Sequence, residues 1–201
     1  MAEQKEFKPA TKNGYPLDEV TSALQKSIRR GLAEDAMYWA LEMDESGYAS
    51  YLWRRLVTIA CEDIGDANPQ LVQTVALLAG QVESMRKNTA GKSYDPVILG
   101  YVILSMARSP KSREADDFTN VVMRSRRLGE RKEVPDYALD MHTERGRKLG
   151  RGPEFFWQEG AKLANEAHPS AYVGWDPELG DGTHKGKKGG PEPNGMVRKL
   201  F

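Results

Sequence analysis

Three kinds of residue in this chain could do chemistry. The first is Ala90-Gly91-Lys92-Ser93, which ends like a phosphate-binding loop. In such a loop backbone amides curl around phosphate, and this needs a glycine five positions before Gly91, with four residues between. Arg86 stands there, and the stretch follows a helical pattern rather than a strand, so it reads as an interhelix loop. The second kind is the acidic pairs Glu62-Asp63 and Asp116-Asp117. Neighbours on a helix point 100° apart, which makes a poor acid/base couple and suits capping or ion pairing instead. His142, His168 and His184 lie far apart, and Cys61 has no Cys-x-x-C partner, so no zinc site is expected. No Gly-x-Ser-x-Gly elbow occurs. These residues point to no enzyme, no cofactor and no metal.

The third kind is basic. Lys111 and Arg113 precede a cluster of Arg124, Arg126 and Arg127, and Arg145, Arg147 and Lys148 form another. All eight are candidates for DNA phosphate contacts. The plainer reading is complementation of helix C-terminal dipoles. Aromatics are not interleaved with the clusters, so stacking on single-stranded bases is unsupported. The chain closes on Leu200-Phe201. Two large apolar residues ending a polar tail could dock on a partner, and a sliding clamp is one candidate. The glutamine anchor of clamp-binding peptides is missing, since Met196 or Val197 stands at its place.

The elements that must position these residues read as helices almost throughout. From Pro16, Leu17, Val20, Leu24 and Ile28 form one stripe, closed by Lys26, Arg29, Arg30 and Gly31. A second helix spans roughly residues 33–44 and a third roughly 48–64. In the third, Asp63 falls inside the apolar half, where a carboxylate must find a basic partner or cap the next element. A fourth runs from Asn68-Pro69 to about Lys87. A fifth, about Pro96 to Arg108, is apolar almost all round and should lie in the centre of a bundle. Ser112 can cap a sixth helix to about Leu128. Two shorter helices are predicted near Pro135–Leu149 and Pro153–Ala167. The fold class is all-α, a multi-helix bundle. The expected layout is a flexible arm over 1–14, a helical domain over 15–167, and an extended or disordered Gly/Pro-rich tail over 168–201.

At 201 residues the chain has room for one or two cores. Its net charge of zero hides a split. Residues 1–107 carry 11 basic and 14 acidic side chains, and residues 108–201 carry 18 and 15, so any anion-binding bias lies in the second half. A single cysteine and the lack of an apolar signal core or membrane-length run make the cytoplasm the expected location, with no membrane.

Several blocks occur in a telling order: Ser22-Ala23-Leu24-Gln25-Lys26-Ser27-Ile28-Arg29-Arg30-Gly31, Asp35-Ala36-Met37-Tyr38-Trp39, Trp53-Arg54-Arg55-Leu56-Val57, Glu62-Asp63-Ile64-Gly65 with Pro69, and Pro110-Lys111-Ser112. Over about residues 15–150 the chain resembles the C-terminal region of the replication-associated recombination ATPases (the RarA/MgsA group), relatives of clamp loaders. The resemblance implies a clamp-loader-like collar domain that oligomerises, in tetramers, behind an AAA+ motor engaged with DNA. The motor is not in this sequence, so its ATP hydrolysis is not carried over. Asp66 replaces a small apolar residue of the family, and Arg113 stands where the family tends to have Asn. Arg54 and Arg55 lie about two turns before Glu62 and Asp63, about 10–12 Å away, so these four are candidates for ion pairs with other helices or a neighbouring subunit. The function this implies is a non-enzymatic, oligomerising accessory protein of DNA replication, recombination and repair, partnered by DNA, an AAA+ ATPase or a sliding clamp. The alternative is a monomeric or dimeric DNA-binding module using basic helix ends and the tail.

Overall fold

The computed structural model describes residues 9–88 and 96–168. Ala90–Ser93, the tail from Pro169, and Leu200-Phe201 lie outside the described residues. Among the described residues the regular secondary structure is helical, apart from an isolated bridge between Ala10 and Pro16. The fold is all-α. The chain divides into two compact units, Met1–Glu130 and Arg131–Phe201.

Among the described residues the first unit holds six α-helices: α1 (Leu17–Arg30), α2 (Ala33–Met43), α3 (Ala49–Ile59), α4 (Pro69–Asn88), α5 (Pro96–Arg108) and α6 (Glu114–Arg127). Helix α1 buries Val20, Thr21, Leu24, Ser27 and Ile28, one face at helical spacing, with Asp18 and Glu19 in its first turn. It stops at Gly31, whose φ of 75° is left-handed, and the following Leu32 amide returns to the Ser27 carbonyl at 2.9 Å. The core joins this face to Ala36, Ala40 and Met43 of α2, Leu52, Leu56 and Ile59 of α3, Val75 of α4, and Leu99, Ile103 and Met106 of α5. Burying a side chain such as Leu24 or Ile103 contributes about 1.5–3 kcal/mol before entropy is counted.

Residues 9–14, expected as part of a flexible arm, are held against the bundle. Thr11 is buried, the Lys12 amide donates to Ser46 Oγ at 2.9 Å, and Asn13 Nδ2 donates to Glu42 Oε2 at 2.6 Å. The Tyr48 hydroxyl donates to the Ala10 carbonyl at 3.0 Å. Glu42 is buried, and hydrogen bonds from Thr11 and Asn13 hold its carboxyl below the usual range.

Helix α5 departs from its expected central position. Leu99, Val102, Ile103 and Met106 are buried, but Val97, Tyr101 and Leu104 face outward. The packing of α1, α2 and α4 covers only one side of it. Helix α6 begins two residues after Ser112. Arg113 occupies the cap position without a side-chain cap, and Ser112 Oγ accepts from the Glu114 amide at 3.3 Å.

The second unit is less helical than its sequence suggested. The stretch 135–149 forms a single tight turn over Asp136–Ala138 and the short α7 (Glu144–Lys148). Asp140 breaks the expected helix by accepting from the His142 amide at 2.9 Å, and Thr143 then caps α7 by accepting from the Gly146 amide at 2.9 Å. Gly146 lies so close to the Asp140 carbonyl that a Cβ there would sit 1.8 Å from its oxygen. The expected helix over 153–167 is cut to α8 (Pro153–Phe155) and a wide turn over Phe156–Gly160.

Candidate functional site

Asp63 lies in a wide turn, Ala60–Ile64, that continues α3. Gly65 ends the turn with φ of 49° and ψ of −127°, a conformation that a side chain resists. The Asp63 side chain has no exposure. Its carboxylate accepts from Arg29 Nε at 2.8 Å and Arg29 Nη2 at 3.3 Å, from Arg113 Nη1 at 3.1 Å, and from Gln25 Nε2 at 3.3 Å. Gln25 and Arg29 are four apart, so α1 presents both on one face. The two arginines keep about a third of their side chains in water, 33% and 39% exposed. The buried charge is therefore matched by cations that remain hydrated, which softens the desolvation cost.

Arg54, Arg55, Glu62 and Asp63, candidates by sequence for ion pairs with other helices or a neighbouring subunit, have different surroundings. Arg55 joins through Gln25, donating from Nη2 to Gln25 Oε1 at 2.9 Å. Its Nε is buried with no hydrogen-bond partner. Arg54 is exposed and lines an open groove of about 410 Å³ between α3 and α4 with Ser50, Trp53, Val57, Ala79, Gly80 and Glu83. Glu62 is half-buried and makes no ion pair among the described residues. Asp63's cations come from α1 and from the residue before α6, 34 and 50 positions away. Sequence reasoning missed Gln25 and Arg29. Their four-residue spacing was the only local signal.

The same network fixes the start of α6. The Ser112 amide donates to the Asp63 carbonyl at 3.0 Å. Arg113 also pairs with Asp116, and the Ser112 hydroxyl holds the Asp66 carboxyl below the usual carboxylate range. Asp66, a departure from the resembled family, thus helps tie down the same loop. Burial pulls the Arg113 guanidinium down, but Asp116 and Asp63 outweigh it and hold it above the ordinary arginine value. Lys111 donates to the Met106, Ala107 and Ser109 carbonyls at 2.9, 3.0 and 2.6 Å, so it caps the end of α5. Burial pulls its ammonium below the usual lysine value, opposed by Asp63. Lys111 and Arg113, expected as DNA contacts, thus direct their donors within the chain.

Helix α6 itself buries no residue. Phe118, Val121, Val122 and Leu128 are 69%, 66%, 43% and 79% exposed. Spaced at i, i+3, i+4 and i+10, they share one face. Arg124 and Arg127 are exposed in its last turn. Among the described residues neither makes an ion pair, whereas Arg126 has a partner.

In the second unit, Arg145 is exposed, Arg147 Nη1 donates to the Met141 carbonyl at 3.1 Å, and Lys148 pairs with Glu144 at 2.6 Å. Arg151, which follows Arg145, Arg147 and Lys148 in the same basic cluster, organises this unit. It donates to the Asp136 and Leu139 carbonyls at 2.8 and 2.9 Å, pairs with the Asp136 carboxylate at 2.6 Å, and lies 4.1 Å from the Phe155 ring centre. Among the described residues no group of three or more His, Cys, Asp or Glu is placed to hold a metal, and no helix is long and apolar enough to cross a membrane.

Residues 32–173 match the profile of a family described as MgsA AAA+ ATPase C terminal. The chain belongs to that family. Its curated relatives include "Replication-associated recombination protein A" of Bacillus subtilis (strain 168), 31% identical over 144 residues, covering 72% of this chain and 33% of the relative. The protein of the same name from Haemophilus influenzae is 30% identical over 180 residues, 85% of this chain and 36% of the relative. That of Escherichia coli (strain K12) is 28% identical over 167 residues, 80% and 34%. The chain spans about a third of the length of these relatives. The match to the MgsA C-terminal family includes Asp63, Lys111, Arg113 and all of α6, while Gln25 and Arg29 precede it.

Proposed function

We propose that this chain is an oligomerising, non-catalytic accessory protein of DNA replication, recombination and repair. The observation that carries this reading is α6, a helix of the matched family domain that buries nothing of its own yet is anchored by a buried carboxylate. A surface held this firmly, with large apolar residues in water, suits a partner protein. The relatives' name, replication-associated recombination protein, supports the process, and the AAA+ family supports assembly. The expected assembly is a homo-oligomer, a tetramer by family resemblance, in the cytoplasm. An AAA+ ATPase or a sliding clamp is the expected further partner, with Leu200 and Phe201 as its docking residues. Light scattering tests the reading: an oligomer at tens of micromolar supports it, and a monomer sinks it.

The second reading is DNA binding by a monomer or dimer. It is favoured by the exposed Arg124 and Arg127 on α6 and by Arg145 in the second unit. A titration of labelled duplex and single strands separates the two. Binding through these three residues would show a log–log salt slope of about −2 to −3, and no binding at about 50 mM salt would reject it.

A further inference from the structure

We propose that α6 pairs with α6 of a second copy of this chain, antiparallel about a two-fold axis. The inference rests on the oligomeric reading above and names the surface that makes the contact.

The apolar stripe and the charges agree on this geometry. Fourteen residues of helix run about 21 Å. At 100° per residue, Phe118, Val121, Val122 and Leu128 span about 120° of the circumference, the width of a helix-packing face. Asp117 and Arg124 lie within about 20° of each other along one edge of that face, seven residues or about 10 Å apart. Among the described residues neither makes an ion pair; Asp117 only adds to the field at Arg113. In a two-fold antiparallel pair, each edge meets the same edge of the partner running backwards. Asp117 then faces the second copy's Arg124, and Arg124 its Asp117. A parallel two-fold pair would instead set this edge against the opposite one, where Thr119 and Arg126 lie, and would bring the acidic first turns together. The wider distribution follows the same logic: Glu114, Asp116 and Asp117 fill the first turn, and Arg124, Arg126 and Arg127 fill the last. The helix is therefore complementary to its own reverse. Two stripes of this length bury less than the ~1,200 Å² of a standard interface, so pairing is expected at micromolar concentrations.

Sedimentation velocity on the full chain, with circular dichroism to check folding, tests the inference. The expected result is association of the unmodified chain and a monomer for Val121→Glu. Asp117→Lys and Arg124→Glu should each weaken association about tenfold, since each breaks two symmetry-related exposed pairs and replaces them with repulsion. The double variant Asp117→Lys/Arg124→Glu should recover to within about threefold, because reversing both charges restores the pairs. The rescue keeps the inference testable even if Val121→Glu misfolds. An oligomer indifferent to all these changes overturns α6 pairing and leaves the oligomeric reading standing. A monomeric unmodified chain overturns both. In that case, slow amide exchange along α6 assigns its face to an occupant within the same chain, and fast exchange assigns it to another molecule.

Discussion

Asp63 sets the residue scale, because a carboxylate with no exposure is stable only while its cations stay in place. Asp63→Ala would leave Arg29 without its carboxylate and Arg113 with Asp116 alone. Both touch water, so the loss should fall at the lower end for a buried pair, about 3 kcal/mol by urea unfolding. Arg113→Ala leaves the two-point contact with Arg29 intact and should cost less, about 1–2 kcal/mol. Equal losses would mean that Arg29 is not the principal partner. Glu42 gives a pH signature. Its folded pKa lies below the unfolded value, so its contribution is present above the ordinary carboxylate range and is lost as pH falls through it. Thermal melts of the unmodified chain should drop below about pH 4.5, and Glu42→Gln should flatten that drop. The burial of Asp63 was legible in sequence, since 100° steps along the third helix place it in the apolar half. Its partners were not legible. Arg29 and Arg113 lie 34 and 50 residues away, and only the packing of α1 against the end of α3 brings them together.

At the scale of elements, the polar ends matter as much as the apolar faces. Lys111 supplies three donors to carbonyls at the end of α5 that no later turn can satisfy. Lys111→Met keeps the stem but removes the donors. It should lower stability by about 1–2 kcal/mol while leaving helix content unchanged by circular dichroism. In the second unit, Gly146→Ala puts a methyl into the Asp140 carbonyl, backbone against backbone, with no side chain to move aside. That should cost about 3 kcal/mol and unfold residues 131–168 before the helical bundle, as read by amide exchange. The long helices were legible because their apolar periodicity runs for three turns or more. The outward face of α5 was not, because periodicity reports the apolar residues and not how many neighbours arrive to cover them. The short extent of α7 was not legible for a different reason. Asp140 and Thr143 offer side-chain acceptors that end a helix wherever the local backbone can reach them, and tertiary contact decides between the options.

On the scale of the whole molecule, the ordered blocks from Ser22 to Ser112 made the family legible, and residues 32–173 place the chain in it. The candidate surface was half legible. The basic end of α6 stood out as a cluster, but the exposure of Phe118, Val121, Val122 and Leu128 needed the fold, since the same pattern would serve a buried helix. The structure links the scales. A buried aspartate fixes Arg113, Arg113 opens α6, and α6 carries the apolar face that the proposed assembly uses. Sedimentation equilibrium of the unmodified chain, from well below to tens of micromolar, tests this central claim most directly. Reversible association with a mass above one chain at the upper end is expected. A single-chain mass across the whole range would contradict it.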